Sequence, residues 1–251
     1  MIVTKANIKE IDFLNGATIF IDKPLGFTSF QIVNGIRKKI SKYINSKIKI
    51  GHAGTLDPLA TGMLILCTGK DTKIIDSYQA QSKLYSGSFY IGATRPSYDK
   101  ETEIESTYDI SEIDENKILS VANSFMGTQM ITPPAHSAIK VNGVRAYKMA
   151  RKGIEVEIKA KEIEIYKFAI EAIKLPLIYF SIGCTKGTYI RSIAHEFGHR
   201  LSNGAYLESL RREQIGEYCV DNAWQYEKFI ECIDDLTQRS ISSSVIDTNN
   251  L

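Results

Sequence analysis

The chain has little to tie it to a membrane, a disulfide scaffold or a strongly basic nucleic-acid binder. Its four cysteines, Cys67, Cys184, Cys219 and Cys232, lie far apart and form no C-x-x-C pair. That spacing excludes the framework of a small secreted disulfide domain and reads as free thiols in a reducing compartment. No apolar run approaches the roughly 20 residues that span a bilayer. The stretch Met1 to Glu10 contains no apolar h-region of a secretory signal, so a cytoplasmic protein without membrane contact is expected. Internal repeats are absent. Net charge is only +2, from 31 Lys and Arg against 29 Asp and Glu, so a nucleic-acid partner would have to be held by local basic patches rather than by an overall field. What remains is an ordinary globular composition, 43% hydrophobic and 24% charged over 251 residues, long enough for one large domain or two small ones.

The most informative stretch is Gly51 to Gly69, GHAGTLDPLATGMLILCTG. It holds four glycines, one proline and a single carboxylate, Asp57. Pro58 fixes its own φ and pushes Asp57 toward an extended conformation, and the apolar run Met63 to Cys67 predicts a buried strand. An acidic side chain is thus presented on a shaped loop beside a buried element, a place where catalytic residues are often found. Taken alone, the spacing suits equally an Asp that only organises a turn, since Asp before Pro is a common turn former.

Elsewhere the pattern predicts a strand over Ala17 to Asp22, a turn at Lys23 to Gly26, and a helix capped by Thr28 or Ser29. That helix carries Phe30, Val33, Ile36 and Ile40 on its apolar face. Arg37 to Lys49 holds six Lys or Arg and no acid, a charge run whose commonest meaning is a solvated face. A short helix is expected over Asp71 to Tyr78 and a strand over Lys83 to Ile91, with Tyr85 a half-buried aromatic. Asp99 to Glu115, with eight acids, reads as a solvated face, and Glu115 to Phe125 as an amphipathic helix. Two strands follow over Ile163 to Leu175 and Leu177 to Cys184. The next helix has the apolar face Ile190, Ile193, Ala194, Phe197 and Leu201. Val220 to Cys232 predicts one more helix, followed by a polar tail. Within the helix after Cys184, His195-Glu196-Phe197-Gly198-His199 fits H-E-x-x-H, which places two histidines on one helix face and, with a third ligand such as Glu217, suggests a zinc hydrolase. The H-x-x-G-x-x-H extension is missing, because Ser202 and Ala205 occupy those places, and Arg191 one turn earlier opposes a second cation.

The segment Gly51 to Gly62 closely resembles the signature G-H-T-G-T-L-D-P-L-A-T-G of the tRNA pseudouridine synthases of the TruB family, departing from it only at Ala53. Further matches occur in order: Lys23 to Ser29 (KPLGFTS), Lys83-Leu84-Tyr85, Phe125-Met126-Gly127 with Gln129 and Pro133-Pro134, Gly143 to Gly153 (GVRAYKMARKG), Lys186 to Arg191 (KGTYIR), Leu210-Arg211-Arg212 and Gly216-Glu217-Tyr218. The resemblance covers about residues 16–218. It departs at Arg95-Pro96-Ser97, where the family has T-D-T, and at His136, where an aromatic is usual.

The resemblance implies a mixed α/β (α+β) pseudouridine synthase fold: a central, largely antiparallel sheet with flanking helices. It implies a catalytic domain over 1–218 with a mobile thumb insertion at about 131–153. The remainder, 219–251, would be a helix and tail with no room for the additional C-terminal RNA-binding domain of many bacterial members. It implies conversion of uridine to pseudouridine at position 55 in the T arm of tRNA. Asp57 would be the catalytic carboxylate, paired with Arg191; Tyr85 would stack on the uracil, Tyr189 line the pocket, and Leu210 pack against it. His52 would fill the gap left by the flipped nucleotide, and Lys140, Arg145, Lys148, Arg151 and Lys152 would meet phosphates. The reaction is an isomerisation, so neither cofactor nor metal is expected; the partner would be the T-arm stem-loop and the protein a monomer. A non-catalytic RNA-binding module is the remaining alternative, separable by whether Asp57→Asn spares tRNA binding while removing modification.

Overall fold

The computed structural model describes residues 1–137, 139–141, 143–154 and 156–248. Positions 138 and 142 of the expected insertion and 249–251 of the expected tail lie outside them. The chain forms two compact units, residues 1–81 with 212–251, and residues 82–211.

The first unit opens with β1 (Thr18–Lys23), α1 (Ser29–Tyr43), β2 (Ile50–His52), β3 (Ala60–Thr68) and α2 (Ile75–Ala80). Helix α1 starts at a capping box: Gln31 N donates to Thr28 Oγ1, and Thr28 N donates to the Gln31 side chain. Its buried stripe is Ser29, Ile32, Val33, Ile36 and Ile40. Phe30, expected on that stripe, is 65% exposed; at 3.6 residues per turn it lies roughly 110° round from the stripe's centre. β3 pairs antiparallel with β1, from Thr18 opposite Cys67 to Lys23 opposite Gly62, and Met63 to Cys67 are fully buried, as the apolar run predicts.

The second unit contains β4 (Lys83–Ile91), β5 (Ala93–Thr94), β6 (Ser106–Thr107), α3 (Glu115–Ser124), β7 (Gly127–Ile131), β8 (Lys140–Val141), β9 (Val144–Arg145), α4 (Ala146–Ala150), β10 (Lys161–Lys174), β11 (Leu177–Cys184) and α5 (Ile190–Arg200). Strand β12 (Ala205–Ile215) begins here and ends in the first unit. Strands run β12-β4-β11-β10-β7, and the β4–β11, β11–β10 and β10–β7 pairs are all antiparallel. Phe197 of α5 sits among Phe89, Phe125 and Phe168, with ring centroids 5.3–6.2 Å apart. Emptying one such buried ring position costs about 3–5 kcal/mol, so the apolar face read from the sequence of α5 anchors this unit.

The acidic stretch after β5 is solvated as expected at seven of its eight acids, but Asp99 is buried. The expected thumb carries only a short helix: α4 has five residues, reached through the β8–β9 hairpin, with Ala146 buried and Met149 and Ala150 half-buried.

The chain then returns to the first unit through β13 (Tyr218–Cys219), β14 (Trp224–Gln225) and α6 (Tyr226–Thr248). The helix expected from Val220 to Cys232 therefore begins at Tyr226 and runs on through the expected tail. Its early part is displaced because Trp224 and Gln225 pair in parallel with Ile21 and Asp22 of β1, and Trp224 Nε1 donates to Val3 O at 3.1 Å. Phe229, Ile233 and Leu236 of α6 close the core over α1. Among the described residues no helix is long and apolar enough to cross a membrane.

Candidate active site

In the first unit, the loop around Asp57 is clamped from several sides. Ser29, buried at the first position of α1, donates from Oγ to Leu56 O at 3.0 Å and accepts from Leu56 N at 2.8 Å. Gly26 N donates to Pro58 O at 2.8 Å, and Ala60 N to Asp57 O at 3.0 Å. Arg212, 2% exposed, donates from Nε to Met63 O at 2.7 Å, and its two terminal nitrogens donate to Thr55 O at 3.4 Å and Gly54 O at 3.2 Å. The main chains touch as well. Gly62 has φ +103°, and a Cβ there would lie 2.3 Å from Arg212 O, so glycine is required on both conformational and steric grounds. Asp57 itself is half-buried.

A second cation lies under the same loop. Lys23 is fully buried. Its Nζ donates to Pro24 O at 2.9 Å and Phe27 O at 2.7 Å. Burial lowers the amine to about 8, with Asp57 raising it, Arg212 lowering it and Asp22 raising it. Lys23 and Asp57 thus feel each other's charge. His52 at the end of β2 is half-buried. Burial, then the Arg212 charge, push its imidazole below the usual range against a hydrogen bond with Gly54, so it is neutral at neutral pH.

In the second unit, Arg191 is 5% exposed at the first turn of α5. Its Nε lies 3.5 Å from Asp99 Oδ2, and one terminal nitrogen donates to Ser97 O at 3.3 Å. Glu101 N donates to Asp99 Oδ1 at 2.9 Å, and Ser97 Oγ to Asp99 O at 2.9 Å. The Arg95-Pro96-Ser97 departure therefore sits in a loop that delivers a buried acid to the α5 arginine. Tyr85 on β4 is buried, opposite Ile182 of β11, more enclosed than the half-buried aromatic expected. Tyr189, at the N-cap of α5, and Leu210 on β12 are half-buried. Lys140, Arg145, Lys148, Arg151 and Lys152 are all exposed. Arg151 pairs with Glu101 at 2.6 Å and lies over the Tyr147 ring.

The zinc constellation is not assembled. His195 stacks flat on Tyr98, centroids 4.0 Å apart. Glu196 is held by Arg200 Nε at 3.0 Å, and His199 is exposed. Among the described residues no three His, Cys, Asp or Glu side chains gather as a ligand set.

Thus Asp57 and His52 belong to the first unit, and Tyr85, Tyr189, Arg191, Leu210 and the thumb cations to the second. Three participants carried no expected role: Lys23, Arg212 and Asp99. The first two stood inside quoted motifs; the third was one of the eight acids of a stretch read as a solvated face.

A model of "TruB family pseudouridylate synthase (N terminal domain)" matches residues 39–190. The tRNA pseudouridine synthase B of Flavobacterium johnsoniae is 48% identical over 224 residues, covering 88% of this chain and 98% of that protein. That of Parabacteroides distasonis is 44% identical over 232 residues, 92% of this chain and 97% of that protein. Among solved structures, a Cbf5-Nop10-Gar1 complex contains a chain with TM-score 0.66 and 26% identity. The match covers 89% of this chain but only 56% of that one.

Proposed function

Because the chain belongs to the TruB family of pseudouridylate synthases, we propose that Asp57 carries out the isomerisation and that its target is the uridine at position 55 in the T arm of tRNA. The enzyme is an isomerase that converts uridine in tRNA to pseudouridine. The observation that carries the assignment is a single carboxylate, Asp57, on a loop fixed by Ser29 and Arg212 and sensed by the buried Lys23.

The N1–C1′ bond breaks, the uracil turns, C5 bonds to C1′, the C5 proton leaves and N1 gains one. Atoms and electrons balance within the nucleoside, so the reaction draws on no redox cofactor. Breaking a glycosidic bond leaves cation-like carbon, which a carboxylate stabilises or traps. A covalent adduct at C1′ and abstraction of a ribose proton both require that carboxylate to be ionised. Desolvation alone would oppose ionisation; a nearby cation favours it, the role the resemblance gives Arg191. Tyr85, whose phenol is a poor base near neutral pH, is assigned to stacking on the uracil, Tyr189 and Leu210 to the pocket, and His52, neutral and planar, to the gap left by the flipped base. The enzyme is read as a cytoplasmic monomer.

The test is to map pseudouridine in tRNA incubated with the purified protein. A new pseudouridine at position 55 is expected; its absence, or a product elsewhere, overturns the assignment. Two further results are expected. Chelation should leave turnover unchanged; stoichiometric zinc lost together with activity would restore the H-E-x-x-H reading. Changing Lys148, Arg151 and Lys152 together to Ala should weaken tRNA binding and lower the salt slope by about 1 for each phosphate no longer neutralised. The fold should survive, because the three side chains are exposed and the Arg151–Glu101 pair lies at the surface, where ion pairs contribute little. A triple variant that keeps the wild-type slope removes the thumb from phosphate recognition.

A further inference from the structure

We infer that Arg212 is a positioning residue for the reaction, its guanidinium clasping both ends of the Gly54–Met63 loop so that Asp57 is held in one reactive placement. The inference rests on the reading of Asp57 as the catalytic carboxylate. Three observations carry it.

The first is where the hydrogen bonds go. Gly54 and Thr55 precede Asp57, and Met63 follows it on β3. One planar group therefore ties the entry and exit of the loop together at 3.2, 3.4 and 2.7 Å. The fork geometry of a guanidinium allows three divergent carbonyls to be held at once; a lysine amine at the same place cannot reproduce it.

The second is cost. The side chain is among the largest fully buried groups of the protein, and among the described residues its hydrogen bonds go to carbonyl oxygens rather than carboxylates. Burying a cation in this way is expensive, and the cost is offset here by hydrogen bonds to three main-chain carbonyls of the loop. Its charge is felt by both titratable neighbours of the loop, lowering Lys23 and His52, so a positive field is maintained where an anionic carboxylate must work.

The third is rigidity from the opposite side. The Arg212 main chain packs against Gly62 with no room for a side chain. The loop is held by strand β12 through both backbone and guanidinium.

The experiment measures single-turnover rate at saturating enzyme, tRNA affinity and thermal stability for Arg212→Met, Arg212→Lys and Asp57→Asn side by side. Arg212→Met should lose at least a hundredfold in rate while its dissociation constant for tRNA stays within threefold. Arg212→Lys, which keeps the charge and loses the fork, should recover part of this, to about tenfold below wild type. If Arg212→Met keeps its rate within threefold, or loses tRNA affinity as much as rate, the inference is overturned. Should Arg212→Met fail to fold, Arg212→Lys decides: a wild-type rate there overturns the inference, and a tenfold loss at unchanged affinity upholds it. An active Asp57→Asn enzyme would instead overturn the reading of Asp57 itself, so the two failures are distinguishable.

Discussion

Asp57→Asn should lower pseudouridine formation by at least a thousandfold, about 4 kcal/mol of barrier, in a protein that is still folded and still binds tRNA. Asparagine keeps the shape of the side chain, and the clamps on the loop from Ser29, Gly26, Ala60 and Arg212 meet main-chain atoms. Ala60 N reaches the Asp57 main-chain carbonyl, and Leu56 is held through its own main chain by Ser29. What is removed is the negative charge, and with it both the capacity to trap cation-like carbon and the capacity to take a ribose proton. The electrostatics supply an internal control. Asp57 raises the Lys23 amine, while burial and Arg212 lower it to about 8. Removing the carboxylate should therefore drop Lys23 further, and titration of its ε-CH₂ signals by NMR can follow that change. Activity within tenfold of wild type, with the Lys23 shift present, would mean that the charge was removed and was not needed.

The parts of this site visible in the sequence are those written locally. Strand β4 spans Lys83–Ile91 as its alternation predicts, and β3 buries Met63 to Cys67 because an uninterrupted apolar run has no polar face to offer solvent. The apolar face of α5 follows helical spacing without exception. Long-range pairing leaves no such trace. Nothing near Trp224 announces that it joins β1, and that parallel pairing is what delays α6 to Tyr226. The same limit hid the second function of two motif residues. Lys23 and Arg212 are recognisable as parts of KPLGFTS and LRR, but the carbonyls that Arg212 holds, and the Asp57 charge that Lys23 feels, come from another segment. Asp99 was concealed for the opposite reason: seven exposed acids around it made the stretch look uniformly solvated.

Arg191→Ala should cost at least as much activity as Tyr85→Phe, and it should also destabilise the protein, because it strands Asp99. Both side chains of the pair are nearly inaccessible, 5% and 7% exposed. Removing one partner of a buried pair leaves an uncompensated charge and costs about 3–5 kcal/mol, roughly 10 °C in Tm for a chain of this size if it unfolds as one unit. Tyr85→Phe removes a hydroxyl from a buried strand ring and leaves the Arg191–Asp99 pair in place. The stability and activity losses can be separated. In Arg191→Met combined with Asp99→Asn neither charge remains, so most of the lost stability should return; the Glu101 N–H that now serves the Asp99 carboxylate can still bond an amide oxygen. If Arg191 also supplies the cation that keeps Asp57 ionised, turnover should stay at the level of Arg191→Ala although the fold has recovered. Melting temperature and single-turnover rate measured on wild type, Arg191→Ala, Arg191→Met, Asp99→Asn and the double variant give the result. A double variant that regains both stability and a rate within tenfold of wild type would confine Arg191 to holding the Asp99 loop and would leave Asp57 to find its cation within its own unit, in Lys23 or Arg212.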